Sequence, residues 1–66
     1  RTVIIMDVTK STARIYGQIK NELHIKGKPI PENDVWIAAI AKEHNFTLLT
    51  KDQHFDNVDG INIEKL

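Results

Sequence analysis

Apolar positions along the chain change period several times, and each change marks an element. Val3-Ile4-Ile5-Met6 is a continuous β-branched run and predicts a buried strand ending near Asp7 or Val8. Thr9 or Ser11 can then cap a helix in which Ala13, Tyr16, Ile19 and Leu23 fall on one face. Gly27 is its natural stop, and Lys28-Pro29-Ile30-Pro31 reads as an extended connector because prolines this close exclude helix throughout. A second helix is expected from about Asn33, its N-cap, with Trp36, Ile37, Ile40 and Ala41 on the apolar side and Asn45 as a left-handed terminator. The small residues Ala38, Ala39 and Ala41 allow close approach to a sheet. Phe46 to Thr50 predicts a short strand. Lys51 to Gly60 predicts a polar loop with Phe55 and Val58 as inward plugs, and Ile61-Asn62-Ile63 a last strand. The order β-α-α-β-β is an α/β pattern without repeats.

Two aspartates stand out for geometry. Asp34 lies in the first turn of the second helix, and Asp52 lies just beyond the strand that follows. A short connection makes helix and strand antiparallel, and about eleven helical residues span ~16 Å, as do about five strand residues. Both carboxylates are therefore expected at the edge where the strands end, the usual ligand edge of open α/β sheets. Converging carboxylates without cysteine or a paired-histidine motif favour a hard divalent cation, Mg²⁺ or Mn²⁺. The plainer reading has equal claim: the first aspartate complements a helix dipole and the second is a turn residue. On local spacing alone that plainer reading prevails.

Other polar residues read as structural. His24 and His44 lie on or at the end of helices with no histidine four residues on and are expected at the surface. His54 alternates with Asp52 and Asp56, but in a loop that alternation fixes no common face, so it is read as a loop residue rather than a ligand. Trp36 is read as core and Phe55 as a loop anchor, in preference to base-stacking platforms. Lys26, Lys28, Lys42 and Lys51 are the candidate phosphate contacts, though scattered lysines are commonly a solvated face.

Composition narrows the field. Sixty-six residues allow one small domain, and there is no cysteine to staple it. Nine basic and nine acidic residues give zero formal charge, so any nucleic-acid contact must come from a local patch. No apolar run approaches a membrane span and no leader pattern is present, which leads to the expectation of a cytoplasmic protein. The opening at Arg1, without methionine and close to a strand-like run, is read as a sign of trimming or truncation.

Two stretches carry a resemblance: Gly27-Lys-Pro-Ile-Pro-Glu-Asn-Asp-Val-Trp-Ile-Ala-Ala39 and Leu48-Leu-Thr-Lys-Asp-Gln-His-Phe55. In order and spacing they resemble the C-terminal half of PIN domains of the VapC type, with a G-x-x-I connector, an N-D-x-W-I-A-A helix start and an L-x-T-x-D-x-x-F strand end. The resemblance implies an endoribonuclease, the toxin of a VapBC-type toxin-antitoxin pair. RNA would be its substrate and a VapB-like antitoxin its partner, with acids gathered around Mg²⁺ or Mn²⁺ to activate water. Asp34 matches the family's third acid and Asp52 its fourth. Thr50 matches the threonine that supports the last acid, and Asp56 is an accessory candidate on the same loop. The first two acids have no counterpart: Asp7, Glu22 and Glu32 lie in the wrong contexts.

The resemblance also implies a parallel sheet of order 3-2-1-4-5, of which this chain supplies strands 3, 4 and 5. The sheet is then incomplete without the N-terminal half, and Val3 to Asp7 stands two strands away from Phe46 to Thr50. The expectations are a fragment with little activity of its own and an association that completes it. That association is a homodimer, the N-terminal half bound as a second peptide, or direct pairing of the first strand with the second. The rival reading is a non-catalytic interaction module that binds an antitoxin or itself.

Overall fold

The computed structural model describes residues 8–66. The strand expected over Val3 to Asp7 lies outside the described residues. Helix α1 spans Lys10–Lys26 and helix α2 spans Glu32–His44. Strand β1 covers Thr47–Thr50, a 3-10 turn covers Gln53–Asn57, and strand β2 covers Asn62–Lys65. β1 and β2 pair in parallel, with Leu48 opposite Ile63 and Thr50 opposite Lys65. This is the α/β arrangement expected for the C-terminal half of a PIN-like domain, with the last two strands as neighbours.

Thr9 caps α1. Its hydroxyl accepts from the Thr12 backbone N–H at 3.3 Å while the Thr12 hydroxyl accepts from the Thr9 N–H at 3.2 Å, which satisfies two otherwise orphaned donors. At the other end Gly27 takes a left-handed conformation with φ 69°. Its N–H bonds to the His24 carbonyl and that of Lys28 to the Leu23 carbonyl, each at 3.0 Å. α2 closes by the same motif, with Asn45 at φ 56° and the Phe46 N–H on the Ala41 carbonyl at 2.8 Å.

Three expectations need correction. Pro31, not Asn33, precedes α2, and no side chain caps the helix. The Pro31 carbonyl accepts from the N–H groups of Asp34 at 3.0 Å and Val35 at 3.2 Å, which leaves Asn33 exposed inside the first turn. On α1 the inward position near the N-terminus belongs to Thr12, fully buried, while Ala13 is exposed. Strand boundaries move as well: Phe46 is used in closing α2, and β2 begins one residue after Ile61.

Contacts at both ends show that the helices run antiparallel. The start of α1 meets the end of α2 through Thr9, Thr12 and Glu43, and farther along Tyr16 stacks on Trp36 with ring centroids 3.9 Å apart. Lys20 then reaches Glu32 at 3.2 Å. Ala38 and Ala39 are wholly buried, so α2 passes close to its neighbours. Ile19, Leu23 and Val35 complete the helical side of the core, and Phe55 and Val58 plug it from the loop as expected. Burying a Phe55-sized side chain contributes on the order of 2–3 kcal/mol. Trp36 is half-buried at the flank, and His24 and His44 are exposed.

Thr12 can be buried because Glu43 accepts its hydroxyl at 2.5 Å. That hydrogen bond, ahead of those from Thr9 and Ser11 and the nearby His44, holds the Glu43 carboxyl below its ordinary pKa. A depressed folded pKa gives stability that is complete above the unfolded pKa and disappears as pH falls through the folded one. Thr12→Val is therefore expected to lower the urea midpoint at neutral pH. The gap to the parent should close in acid as Glu43 protonates in both proteins, and a gap that persists there would show that the hydroxyl acts on something other than the carboxylate.

Candidate metal centre

Asp34 and Asp52 come from opposite ends of the α2-β1 unit. α2 runs away from Asp34, Asn45 reverses the chain, and β1 returns to the same edge, beyond which Asp52 begins the 3-10 turn. Asp52 is held by its own local chemistry. Its backbone N–H donates to the Thr50 hydroxyl at 3.0 Å, and its carboxylate, as N-cap of the turn, accepts from the His54 backbone N–H at 3.0 Å. The parallel register places Lys65 opposite Thr50, from where its amine donates to the Asp52 carbonyl at 3.2 Å and meets the Asp56 carboxylate at 2.7 Å.

The ring of His54 stands between the two acids. Its Nδ1 lies 3.0 Å from an Asp34 oxygen and 3.1 Å from an Asp52 oxygen. One donor atom from each of Asp34, Asp52 and His54 fits within 4.8 Å of the others. Asp34 is the most enclosed, its side chain 18% exposed, against 41% for Asp52 and 49% for His54. The site is thus open to solvent on the side of the turn.

The donor set passes a simple test for a divalent ion. Neighbouring ligands of an octahedral ion at ~2.1 Å stand about 3.0 Å apart, which is the separation of the imidazole nitrogen from each carboxylate. The same separation serves a hydrogen bond when no ion intervenes. Two carboxylates, one from the first turn of α2 and one from the cap of the turn after β1, with a third donor beside them, fit a hard or borderline cation.

Asp34 and Asp52 thus come together, and Thr50 supports Asp52. Asp56 lies outside this group, paired with Lys65 on the far side of the turn. His54 is the residue that sequence reasoning set aside. Its signal was in the chain: an aspartate two residues earlier can cap a short helical turn, which ties the His54 backbone N–H to the Asp52 carboxylate. Reading residues 51–60 as an irregular loop hid that relation.

The hairpin of helices and the parallel strand pair make a small α/β unit with two acids at their common edge. The chain belongs to the PIN domain family, whose model matches residues 2–61. It is 31% identical over 55 residues to ribonuclease VapC5 of Mycobacterium tuberculosis, a match covering 83% of this chain and 41% of that protein. It is 40% identical over 48 residues to toxin FitB of Neisseria gonorrhoeae, covering 73% of this chain and 34% of that one. The chain therefore spans less than half the length of these curated relatives. Among solved structures it resembles the crystal structure of VapBC2 from Rickettsia felis bound to a DNA fragment from their promoter. That match has a TM-score of 0.85 and 31% identity, over 97% of this chain and 49% of the other. No helix among the described residues is long and apolar enough to cross a membrane.

Thr50 is expected to matter for the turn and not for the core. Thr50→Val keeps the shape of the side chain but leaves the Asp52 N–H without its acceptor, a loss of about 1 kcal/mol. Amide exchange should read it as faster exchange at Asp52 with little change in the helices. Uniformly faster exchange across α1 and α2 would contradict a local role.

Proposed function

We propose that this chain is the C-terminal half of a divalent-metal-dependent endoribonuclease, the toxin of a VapBC-type pair. The observation that carries the reading is the convergence of Asp34 and Asp52 at the edge where β1 ends. Family membership, and relatives named as a ribonuclease and a toxin, support it. Asp34 and Asp52 hold Mg²⁺ or Mn²⁺ through their carboxylates. When bound, the ion lowers the pKa of a water and steadies charge on the attacked phosphate of RNA. Thr50 fixes the backbone at Asp52, and Asp56 with Lys65 braces the turn that carries it. Asp52 and the turn face solvent, which leaves room for an RNA strand. A VapB-like antitoxin is the partner, by likeness to the VapBC2 complex.

Two acids leave a divalent ion short of charged ligands, so the remaining ones come from an N-terminal half. An exposed surface supports this need for a complement. Leu49 is 59% exposed on the face of the sheet away from the helices, and β1 has one unpaired edge among the described residues. That edge also favours the second reading, an interaction module that binds an antitoxin or a second copy of itself.

Activity and mass distinguish the two. In the protein containing both halves, Asp34→Asn or Asp52→Asn is expected to remove Mn²⁺-dependent RNA cleavage while leaving the circular dichroism spectrum unchanged. Full activity in either variant would overturn the site. The isolated 66-residue chain is expected to cleave RNA negligibly and to sediment as more than a monomer. Strong cleavage by it that Asp34→Ala abolishes would show that half a site suffices. A concentration-independent monomer with cooperative melting would exclude the dimer.

A further inference from the structure

We infer that His54 Nδ1 is a third ligand of the ion held by Asp34 and Asp52, and that its nitrogen selects Mn²⁺ over Mg²⁺. The inference rests on the metal reading above and adds a ligand that the sequence pattern of acids did not contain.

Three observations converge on it. First, one ring nitrogen lies at equal reach of two carboxylates, 3.0 Å from Asp34 and 3.1 Å from Asp52. As a donor this nitrogen makes one hydrogen bond, to Asp34, and leaves the Asp52 oxygen at 3.1 Å unserved, whereas a lone pair there faces the point the two acids share. Second, packing does not account for the placement. The His54 side chain is 49% exposed, so little apolar burial holds it where it stands. Third, its backbone is built into the site. The His54 N–H bonds to the Asp52 carboxylate at 3.0 Å, and the next residue, Phe55, is 5% exposed in the core. The imidazole is thus carried on a turn whose start is Asp52 and whose anchor is Phe55.

The chemistry then sets a preference. Mg²⁺ takes oxygen ligands in a near-ideal octahedron and gives up water reluctantly. Imidazole suits first-row transition ions. A set of two carboxylates and one imidazole therefore favours Mn²⁺ of the two ions in the proposed function. Asp34 is more enclosed than His54, so the acids supply the charge that retains the ion while the imidazole tunes which ion is retained.

The test uses Mn²⁺ alone on the full-length product of the gene. Electron spin-echo spectroscopy of the bound ion is expected to show coupling to one imidazole nitrogen, a readout independent of RNA cleavage. His54→Ala, at an exposed position, is expected to abolish the coupling and to weaken Mn²⁺ at least about tenfold, the scale seen even for groups that only orient a ligand. Mg²⁺ affinity should change less. Mn²⁺ that binds in an Asp34-dependent way without nitrogen coupling, or an equal loss of both ions in the variant, would overturn the role of His54 and leave the carboxylate site standing. Absence of any Mn²⁺ binding that Asp34→Asn removes would overturn the metal reading itself. Should His54→Ala misfold, the coupling in the unaltered protein decides the question alone.

Discussion

The reversal at Asn45 is the constraint on which the rest of the structure depends. A helix that ends with a left-handed residue turns its chain back over its own last turn, and the Phe46 N–H locks that turn onto the Ala41 carbonyl. Asparagine is among the few residues with a side chain that tolerate this conformation. Because the reversal takes so few residues, β1 must run back along α2 and finish near the helix start. The wholly buried Ala38 and Ala39 let the neighbouring layers lie close enough for that return to pack. Asp34 and Asp52 are neighbours for this reason, and no direct attraction between two like-charged carboxylates is needed to explain it.

How much of this was legible in the chain depended on whether the signal was local. Gly27 and Asn45 announced both helix ends, and Phe55 and Val58 announced themselves as plugs, because a backbone or hydrophobic requirement there has one cheap answer. The start of α2 was missed because the Pro31 carbonyl serves as the first acceptor, a role any residue can fill, while Asn33 offered a more familiar cap. Thr12 was passed over for Ala13 because its burial depends on Glu43, thirty-one positions away. At the site, the convergence of two acids followed from element lengths alone. The third donor did not, since it required knowing that residues 53–57 form a helical turn. The pairing of Asp56 with Lys65 was likewise hidden until the strand register was known.

The helices cover one face of the strand pair and leave the other with work to do. Leu48 and Ile63 point together into the core, so Leu49 projects from the opposite face into solvent. Parallel strands normally occur in sheets covered on both faces, and two short strands alone have little independent stability. The edge of β1 that is unpaired among the described residues ends at Thr50, whose hydroxyl holds the Asp52 N–H. A strand laid along that edge would finish about 4.8 Å from Thr50, within side-chain reach of Asp34, Asp52 and His54. An element that paired there would also be placed beside the acids proposed to hold the ion. In a chain with zero formal charge, such a coupling would tie the gathering of acidic side chains at one edge to the pairing of the sheet.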